Sequence, residues 1–316
     1  MKILVTGGSG FIGSYIALEL ARDSQNDVFI YDTKTPDFEL PENITFIEGD
    51  ITYRTSLDRA IKGCAEVYDC AGILGTHELV FQTDRAISIN IIGAINVLQS
   101  CLENNIKKIF HPTKPIFLNY WENTYTITKI AAENFARMYR KVYGMDITIL
   151  RWHNASGPRQ HIYPIRKLIP FAICLAILGK NIEVYGRGEQ TMDIIDVRDV
   201  AKIAIKSVRL GIGKNIHEVW DVGTGNPVSC NQVVEYIIKK LSSSSKIIYV
   251  PMRIGEPKVS NIYAKSHVDL LNHISYELEF DCYKTLDDCI DYYAGLEKSE
   301  VEMAVGYFIK SGLYHG

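Results

Sequence analysis

The feature that most constrains this fold is an apolar run at the start of the chain that ends abruptly in glycines. Residues 3–5 are continuously apolar, which is typical of a parallel strand covered on both faces. Gly7, Gly10 and Gly13 follow, and an apolar pattern with helical spacing begins after Gly13. The order of these segments predicts a strand, a glycine turn and a helix, to which the rest of the domain is added.

A turn of this kind can hold a diphosphate against the first N–H groups of the helix. Glycine allows the tight bend, the close approach of the phosphates and the close packing of helix on strand, because it has no Cβ. A glycine-rich turn that binds nothing is the alternative, and its position between a buried strand and a helix disfavours it. The residues predicted to contact a dinucleotide here are Gly7, Gly10, Phe11, Ile12 and Gly13.

An acidic residue, Asp32, ends the second apolar run, residues 28–31. A carboxylate at this place accepts hydrogen bonds from the adenosine ribose and repels a 2′-phosphate, which favours NAD over NADP. The alternative is a surface aspartate that opens a turn. Its position relative to the glycines favours the cofactor contact.

Later strand ends add further candidates for the cofactor site. Asp50 follows the third predicted strand and can contact the adenine amino group, while Ile51 can pack on the ring. The fourth strand, within residues 66–72, ends in Ala71 and Gly72, whose small size lets a cofactor lie across the strand ends.

The second stretch that carries chemistry is residues 125–129, with Tyr125 and Lys129 four positions apart. On a helix these side chains share a face, and an ammonium beside a phenol lowers the phenol pKa. Thr113, at the end of the fifth predicted strand, can hydrogen-bond the reacting oxygen. A surface helix whose Tyr and Lys do nothing is the alternative, which the position after that strand disfavours.

Composition narrows the remaining classes of protein. At 316 residues the chain is long enough for two domains, and its 34 Lys and Arg against 37 Asp and Glu are dispersed, so nucleic acid is not expected as a partner. No uninterrupted apolar run has transmembrane length, so no membrane is expected. The 7 cysteines are scattered without metal-binding spacing, which predicts reduced thiols, no metal and a cytoplasmic location.

With these motifs the chain resembles the extended short-chain dehydrogenase/reductase superfamily, and within it the NAD-dependent epimerase/dehydratase family acting on nucleotide sugars. The resemblance covers nearly the whole chain. It is carried by the glycine turn, Asp32, residues 49–51, 90–98, 125–129, 151–159, 186–190 and 196–200.

The resemblance implies a Rossmann-type, doubly wound parallel sheet with a smaller C-terminal α/β substrate domain. The cofactor domain is expected over residues 1–155 and about 194–222, and the substrate domain over about 156–193 and 223–316. It further implies that the cofactor is NAD and that the protein is a homodimer.

The resemblance also implies roles for single residues. Tyr125 is the expected catalytic base, Lys129 holds the nicotinamide ribose, and Thr113 takes the place of the catalytic Ser or Thr. Asn90 joins the cofactor-binding residues. The residues expected to bind the nucleotide sugar are Thr76, His77, Asn154, Arg187 and Arg253, although loop histidines such as His77 are more often merely solvated.

The chain departs from the family pattern at several positions. Lys114 and Pro115 stand where the dehydratases have an Asp-Glu pair and the decarboxylases a Glu, so elimination and decarboxylation lose support. Met192 replaces a usual Arg, and Ser156 a usual Tyr, which indicates an altered mode of binding the nucleotide sugar.

The sequence favours a nucleotide-sugar epimerase acting at C4 of a UDP-hexose through a transient 4-keto sugar. A reductase or dehydrogenase with net redox turnover is the first alternative, and a dehydratase the second. A non-catalytic NAD-binding sensor or scaffold is the alternative outside enzymes, and retention of both Tyr125 and Lys129 disfavours it.

Overall fold

The computed structural model describes residues 1–116, 123–215, 219–256, 263–264 and 267–314. Most of the predicted short loop before Tyr125 lies outside these residues. The strands are β1 Lys2–Thr6, β2 Asp27–Asp32, β3 Ile44–Glu48, β4 Glu66–Asp69, β5 Lys108–Thr113, β6 Ile147–Trp152, β7 Asn154–Ser156, β8 Ile182–Tyr185, β9 Thr191–Met192, β10 Ile194–Asp196, β11 Trp220–Val222, β12 Val228–Ser229 and β13 Ile247–Val250. The helices are α1 Phe11–Ala21, α2 Arg54–Ile61, α3 Thr83–Ile87, α4 Ala94–Glu103, α5 Thr124–Tyr143, α6 Leu168–Ile177, α7 Val197–Arg209, α8 Ile212–Asn215, α9 Cys230–Lys240, α10 His267–His273, α11 Cys282–Ala294 and α12 Lys298–Lys310.

The chain divides into two compact units. The first comprises Met1–Trp152, Val197–Val222 and Ser266–Glu277, and the second His153–Asp196, Gly223–Lys265 and Leu278–Gly316. The assignment of cofactor binding to one domain and substrate binding to the other stays a prediction.

A seven-stranded parallel sheet forms the centre of the first unit, in the order β11-β6-β5-β4-β1-β2-β3. The strand order reverses between β1 and β4, the switch point at which ligands bind in open sheets of this type. Helices flank the sheet, with α1 packed on α7 and α2 on α4. The predicted doubly wound, Rossmann-type sheet is therefore confirmed.

Apolar side chains of the strands and helices make one continuous core in this unit. Leu4, Val67 and Ile109 from adjacent strands pack with Leu57 of α2 and Val97 of α4. Burial on both faces explains why β1 has a continuous apolar run in the sequence rather than an alternating pattern.

The helical stretch Thr83–Glu103 runs from α3 through a π-helical segment, Ser88–Gly93, into α4. The stretch has 21 residues, and its 18-residue apolar window has a mean hydropathy of 1.4, enough to span a membrane by length and composition alone; 44% of that window is buried in the protein. The stretch contains no uninterrupted apolar run of transmembrane length, because polar residues such as Asn90 and Asn96 lie between its apolar ones. These residues are uncharged, so the average hydropathy stays high. Core helices pass the same test, and this stretch supplies Val97 and Leu98 to the core.

The second unit contains three two-stranded sheets and four helices among the described residues. β7 pairs with β10 and β8 with β13 in parallel, while β9 and β12 are antiparallel. Its core joins α6, α9, α11 and α12 through residues such as Phe171, Ile237 and Phe308. Arg166 lies within this core and donates to Glu183 at 3.0 Å, so its buried charge is paired.

All seven cysteines are free thiols, six of them buried and Cys70 partly exposed. The sequence prediction of reduced, mostly buried thiols is thus confirmed.

Candidate functional site

The glycine turn has the tight geometry that the sequence predicts. Gly7 has φ +67°, and a Cβ there would lie 2.6 Å from the backbone nitrogen of Ala71. A Cβ on Gly13 would lie 2.2 Å from the carbonyl oxygen of Gly7. Gly7 therefore lets the β1 turn touch the end of β4, and Gly13 lets α1 touch the turn.

Helix α1 begins directly after this turn with its backbone donors uncapped by a side chain. Gly10 occupies the N-cap and makes no side-chain cap. The first N–H groups of a helix have no acceptor within the helix, and they include those of Phe11, Ile12 and Gly13. These donors and the positive end of the helix suit a diphosphate.

Asp32 lies at the end of β2, beside the glycine turn. One carboxylate oxygen accepts the Ser9 N–H at 3.0 Å and the other accepts the Lys34 N–H at 3.1 Å. Each carboxylate oxygen has a further lone pair. The carboxylate is therefore held in place and can still accept hydrogen bonds from a ribose, as predicted.

An open cleft lies next to Asp32, at the ends of β2 and β3. It is lined by Thr33, Glu48, Gly49, Asp50, Tyr53 and Ser56. Asp50 Oδ1 accepts hydrogen bonds from the N–H and hydroxyl of Thr52, both at 2.8 Å. Ile51 is only 4% exposed and packs in the core, which leaves little of its side chain for the predicted contact with adenine.

Asn90 fixes the loop that follows β4. Its amide donates to the carbonyl oxygen of Ile73 and accepts the Ile73 N–H, both at 2.9 Å, and donates to Thr128 Oγ1 at 3.1 Å. Ala71 and Gly72 lie in the same segment, where the Ala71 N–H is 3.3 Å from Thr6 Oγ1. Asn90 thus shapes the cofactor site by bonds to the protein, in addition to the predicted cofactor contact, which stays a prediction.

The predicted catalytic residues meet where β5 ends against helix α5. Asn123 caps α5 by accepting the Thr126 N–H at 2.7 Å, which starts the helix just before Tyr125. Lys129 donates from Nζ to the carbonyl oxygen of Pro112 at 2.8 Å, and Thr113 Oγ1 lies 3.5 Å from the Lys129 carbonyl oxygen. The structure therefore brings Thr113 and the Tyr125–Lys129 turn to one place.

The pKa of Tyr125 departs from the sequence expectation. Burial raises it to about 12, whereas a lowered pKa was expected from Lys129. Burial also lowers the pKa of Lys129, against the opposing effect of the acidic groups near it, among them Asp69 and Glu133. The Lys129 ammonium donates its hydrogen bond to the Pro112 carbonyl oxygen, and desolvation sets the direction of the pKa shift at the Tyr125 phenol.

Lys114 is a second cation at this place, and in the sequence it is notable only as a departure from the family pattern. Its Nζ donates to Thr126 Oγ1 at 2.7 Å and lies 5.2 Å from the centre of the Tyr125 ring. A cation over an aromatic face interacts favourably with the ring. Nothing in the sequence indicated this contact, since a loop separates Lys114 from the helix.

Two residues expected to bind the nucleotide sugar, Thr76 and His77, lie in the first unit after β4. His77 precedes a short 3₁₀ helix, Glu78–Phe81, and its ring meets that of Phe81 edge-on at 6.2 Å.

The other three such residues belong to the second unit. Asn154 begins β7 and is exposed, and Arg187 is exposed in the turn after β8. Arg253 donates to Glu256 at 2.7 Å and stacks 4.6 Å from the Tyr185 ring centre. The structure thus pairs Arg253 with an acid of its own chain.

Asp193 is a structural centre that the sequence did not single out. Its buried carboxylate accepts hydrogen bonds from the N–H and hydroxyl of Thr224 at 2.7 and 2.6 Å, and from the N–H groups of Gly225 and Ala264, both at 2.9 Å. These bonds lower its pKa against the effect of burial. Its partners are remote in sequence, so only the fold reveals the role.

The residues of the first unit fit NAD. The cradle at Gly7 and Gly13 has no room for a Cβ, the helix start offers uncapped donors, and Asp32 and the adjoining cleft suit an adenosine. Among the described residues, no cluster of three His, Cys, Asp or Glu side chains could hold a metal.

Comparisons with known proteins identify the same family as the motifs. The model of the NAD dependent epimerase/dehydratase family matches residues 3–223. A UDP-N-acetyl-alpha-D-glucosaminuronate decarboxylase from Bacillus cytotoxicus is 29% identical over 271 residues, covering 79% of this chain and 83% of that protein.

Solved structures are similar over nearly the full length. The UDP-glucuronic acid 4-epimerase of Bacillus cereus, in complex with UDP-glucuronic acid and NAD, has a TM-score of 0.82 and 25% identity, covering 94% of this chain and 100% of that one. The UDP-N-acetylglucosamine 4-epimerase of Methanobrevibacter ruminantium, in complex with UDP-N-acetylmuramic acid, has a TM-score of 0.78 and 27% identity, covering 93% and 98%.

Proposed function

Because this chain belongs to the NAD-dependent epimerase/dehydratase family, we propose that it is a nucleotide-sugar epimerase that inverts C4 of a UDP-hexose. It is an NAD-dependent enzyme of the extended short-chain dehydrogenase/reductase type. The observation that carries the proposal is the meeting of Thr113 with the Tyr125–Lys129 turn at the end of β5.

The reaction needs one base and one reversible hydride acceptor at the same carbon. When bound, NAD supplies that acceptor for the C4 hydrogen. Tyr125 takes the proton of the 4-hydroxyl, and Thr113 hydrogen-bonds the reacting oxygen. The resulting 4-keto sugar would turn over in the site and be reduced on its other face, with Tyr125 giving the proton back to the oxygen. Atoms and charge therefore balance with no net consumption of NAD.

Side chains next to Thr113 argue against the other reactions of the family. Elimination and decarboxylation in the relatives that this chain resembles use acids at the positions of Lys114 and Pro115. Here Lys114 donates to Thr126 and lies over the Tyr125 ring, so a cation occupies this place. An epimerase needs no second acid, which favours it over a dehydratase or a decarboxylase.

We assign NAD to the first unit and the nucleotide sugar chiefly to the second. The glycine turn, Asp32 and Lys129 all belong to the first unit, whereas Asn154, Arg187 and Arg253 belong to the second. Arg253 and Arg187 are the candidates for binding the diphosphate, because Met192 stands where the family usually has Arg. Arg253 would then release Glu256, with which it is paired here, and bind a phosphate oxygen in its place.

We further propose that the enzyme is a cytoplasmic homodimer. The resemblance to the family implies that the two copies meet through the helices that hold residues 91–102 and 125–139. Apolar side chains on these helical stretches are exposed: Ile87, Ile92, Ile127, Phe135 and Val142. A second copy would bury these residues, as the resemblance to the family implies. Light scattering that gives the mass of one chain would contradict the homodimer.

Incubation with a panel of UDP-, GDP-, CDP- and dTDP-sugars tests the proposed function. We expect inversion at C4 of a UDP-sugar, unchanged product mass and no steady change in nicotinamide absorbance. A steady change would indicate a dehydrogenase, and loss of water a dehydratase. Binding of NAD without conversion of any sugar would indicate a sensor or scaffold.

A further inference from the structure

A buried carboxylate lies at the switch point of the sheet, on the strand next to β5. Asp69 ends β4, between Thr6 of β1 and the segment of β5 that follows Phe110. It is 2% exposed. Its Oδ1 accepts the Thr6 hydroxyl at 2.9 Å, and its Oδ2 lies 3.0 Å from His111 Nδ1.

The geometry around His111 favours a neutral imidazole. Its Nε2 is buried and has no hydrogen-bond partner among the described residues. An imidazolium would leave a charged N–H unpaired at this atom, which is more costly than an unpaired acceptor. His111 therefore donates Nδ1–H to Asp69, and the carboxylate keeps its negative charge.

The negative charge of Asp69 favours the ammonium form of Lys129 on helix α5. The groups that favour its charged form are Asp69 and Cys70 at the end of β4, and Glu133 on its own helix. Burial and the nearby Asp69 raise the pKa of Cys70, so its thiol carries no charge at neutral pH.

The negative charges of the two carboxylates that act on Lys129 are neutralised by other residues to different extents. Glu133 binds the Arg151 guanidinium through both oxygens, at 2.9 and 2.6 Å, and Arg137 at 3.1 Å. Asp69 accepts hydrogen bonds from the hydroxyl of Thr6 and the neutral ring of His111, neither of which carries a charge. Its charge is therefore the less compensated of the two.

The Asp69–His111 pair is also joined to Lys129 through the chain. His111 directly precedes Pro112, whose carbonyl oxygen accepts the Lys129 ammonium at 2.8 Å, and Thr113 follows. Three consecutive residues of β5 thus carry the partner of Asp69, the acceptor of the Lys129 ammonium and the proposed catalytic Thr113.

We infer that Asp69 is a positioning residue that supplies the negative charge for the Lys129 ammonium, and that His111 fixes this carboxylate without cancelling its charge. The inference rests on the proposed function in one respect, the binding of the nicotinamide ribose by Lys129. NAD binding is measured without any sugar, so a failure of epimerisation leaves the test intact.

The test is NAD affinity by titration calorimetry as a function of pH, in the full-length protein and in the Asp69→Asn variant. Asn is nearly isosteric and still accepts the His111 N–H. We expect the alkaline midpoint of NAD binding to move down by on the order of one pH unit, because the loss of a nearby opposite charge lowers the pKa of an ammonium by about this amount. The matched control is His111→Asn, which keeps a donor to Asp69 and keeps its charge, and should leave the midpoint in place.

An unmoved midpoint in Asp69→Asn, or uniformly weaker binding at every pH, would show a merely structural role and overturn the inference. A shift of equal size in His111→Asn would overturn it as well. Should Asp69→Asn not fold, lysine ¹³C NMR of the unaltered protein, assigned with Lys129→Met, decides the matter. We expect Lys129 to remain an ammonium at neutral pH. A neutral amine there would show that Asp69 does not stabilise the charged form and would overturn the inference.

Discussion

The ammonium of Lys129 lies 2.8 Å from the carbonyl oxygen of Pro112, the residue directly before Thr113. The proposed catalytic helix is thus bonded through its own lysine to the strand that carries the proposed catalytic threonine. This contact holds the ammonium at the strand, and Tyr125 keeps the raised pKa that burial gives it.

The first prediction concerns pH. Tyr125 must be a phenolate to take a proton, and burial raises its pKa to about 12, so the active form grows as pH rises. The rate of epimerisation should therefore increase from about pH 6 to about pH 9. It should fall at higher pH, where Lys129, whose pKa burial lowers, loses its charge. Steady-state kcat across this range is the measurement, and a rate that declines from pH 6 upward would contradict the assignment.

The second prediction concerns Lys114, which lies 5.2 Å from the centre of the Tyr125 ring. Lys114→Met removes a cation that favours the phenolate, so the acidic limb of the kcat profile should move to higher pH by about 0.5 unit. Lys107→Met, an exposed residue just before β5, is the matched control and should leave the limb in place. Equal pH profiles for the two variants would show that Lys114 does not stabilise the Tyr125 phenolate.

The third prediction concerns the glycine turn. A Cβ at Gly13 would meet the Gly7 carbonyl oxygen at 2.2 Å, so Gly13→Ala should lower the free energy of unfolding by about 1–3 kcal/mol and weaken NAD binding. Gly306→Ala is the control, because a Cβ there meets nothing within 4 Å in helix α12. Alanine at that position should stabilise the protein by about 0.5–1 kcal/mol. Urea unfolding and NAD titration measure both effects, and unchanged NAD affinity in Gly13→Ala would argue against the turn as the cofactor site.

The fourth prediction concerns Asp193, which accepts four hydrogen bonds in the second unit. Its folded-state pKa lies below the ordinary value, so its contribution is fully present above the unfolded-state pKa and is lost as pH falls through the folded one. Asp193→Asn should lower the free energy of unfolding at neutral pH by about 1–3 kcal/mol. The difference from the unaltered protein should shrink in acid.

Urea unfolding at several pH values measures the effect of Asp193→Asn. The exposed Glu189→Gln in the same unit is its control and should change little. A destabilisation that stays constant from neutral to strongly acidic pH would show that the charge of Asp193 is not its cause.

The parts of the fold that the sequence predicts are those set by local chemistry. The glycine turn and the carboxylate of Asp32 depend on residues close together in the chain, and the structure gives them the expected geometry. The first five strands are likewise confirmed, and β1 shows the reason most clearly, because a buried parallel strand leaves a continuous apolar run.

The remaining features depend on contacts between distant segments. The pairing of Asp69 with His111 requires the register of β4 on β5, and the bonds of Asp193 reach Thr224 and Ala264. The side chain of Ile51 is covered by the core rather than left open, which an apolar residue in a loop does not reveal. The direction of the Tyr125 pKa shift depends on burial, which spacing on a helix cannot show.

The most direct test of the proposed reaction uses the UDP-hexose found in the panel, with deuterium in place of the C4 hydrogen. Hydride that leaves C4 and returns to it predicts an epimer inverted at C4 that retains the deuterium there, and Tyr125→Phe should slow this conversion by about 10²–10⁴-fold. Inversion with loss of the deuterium to solvent, or an unchanged rate in Tyr125→Phe, would contradict the account.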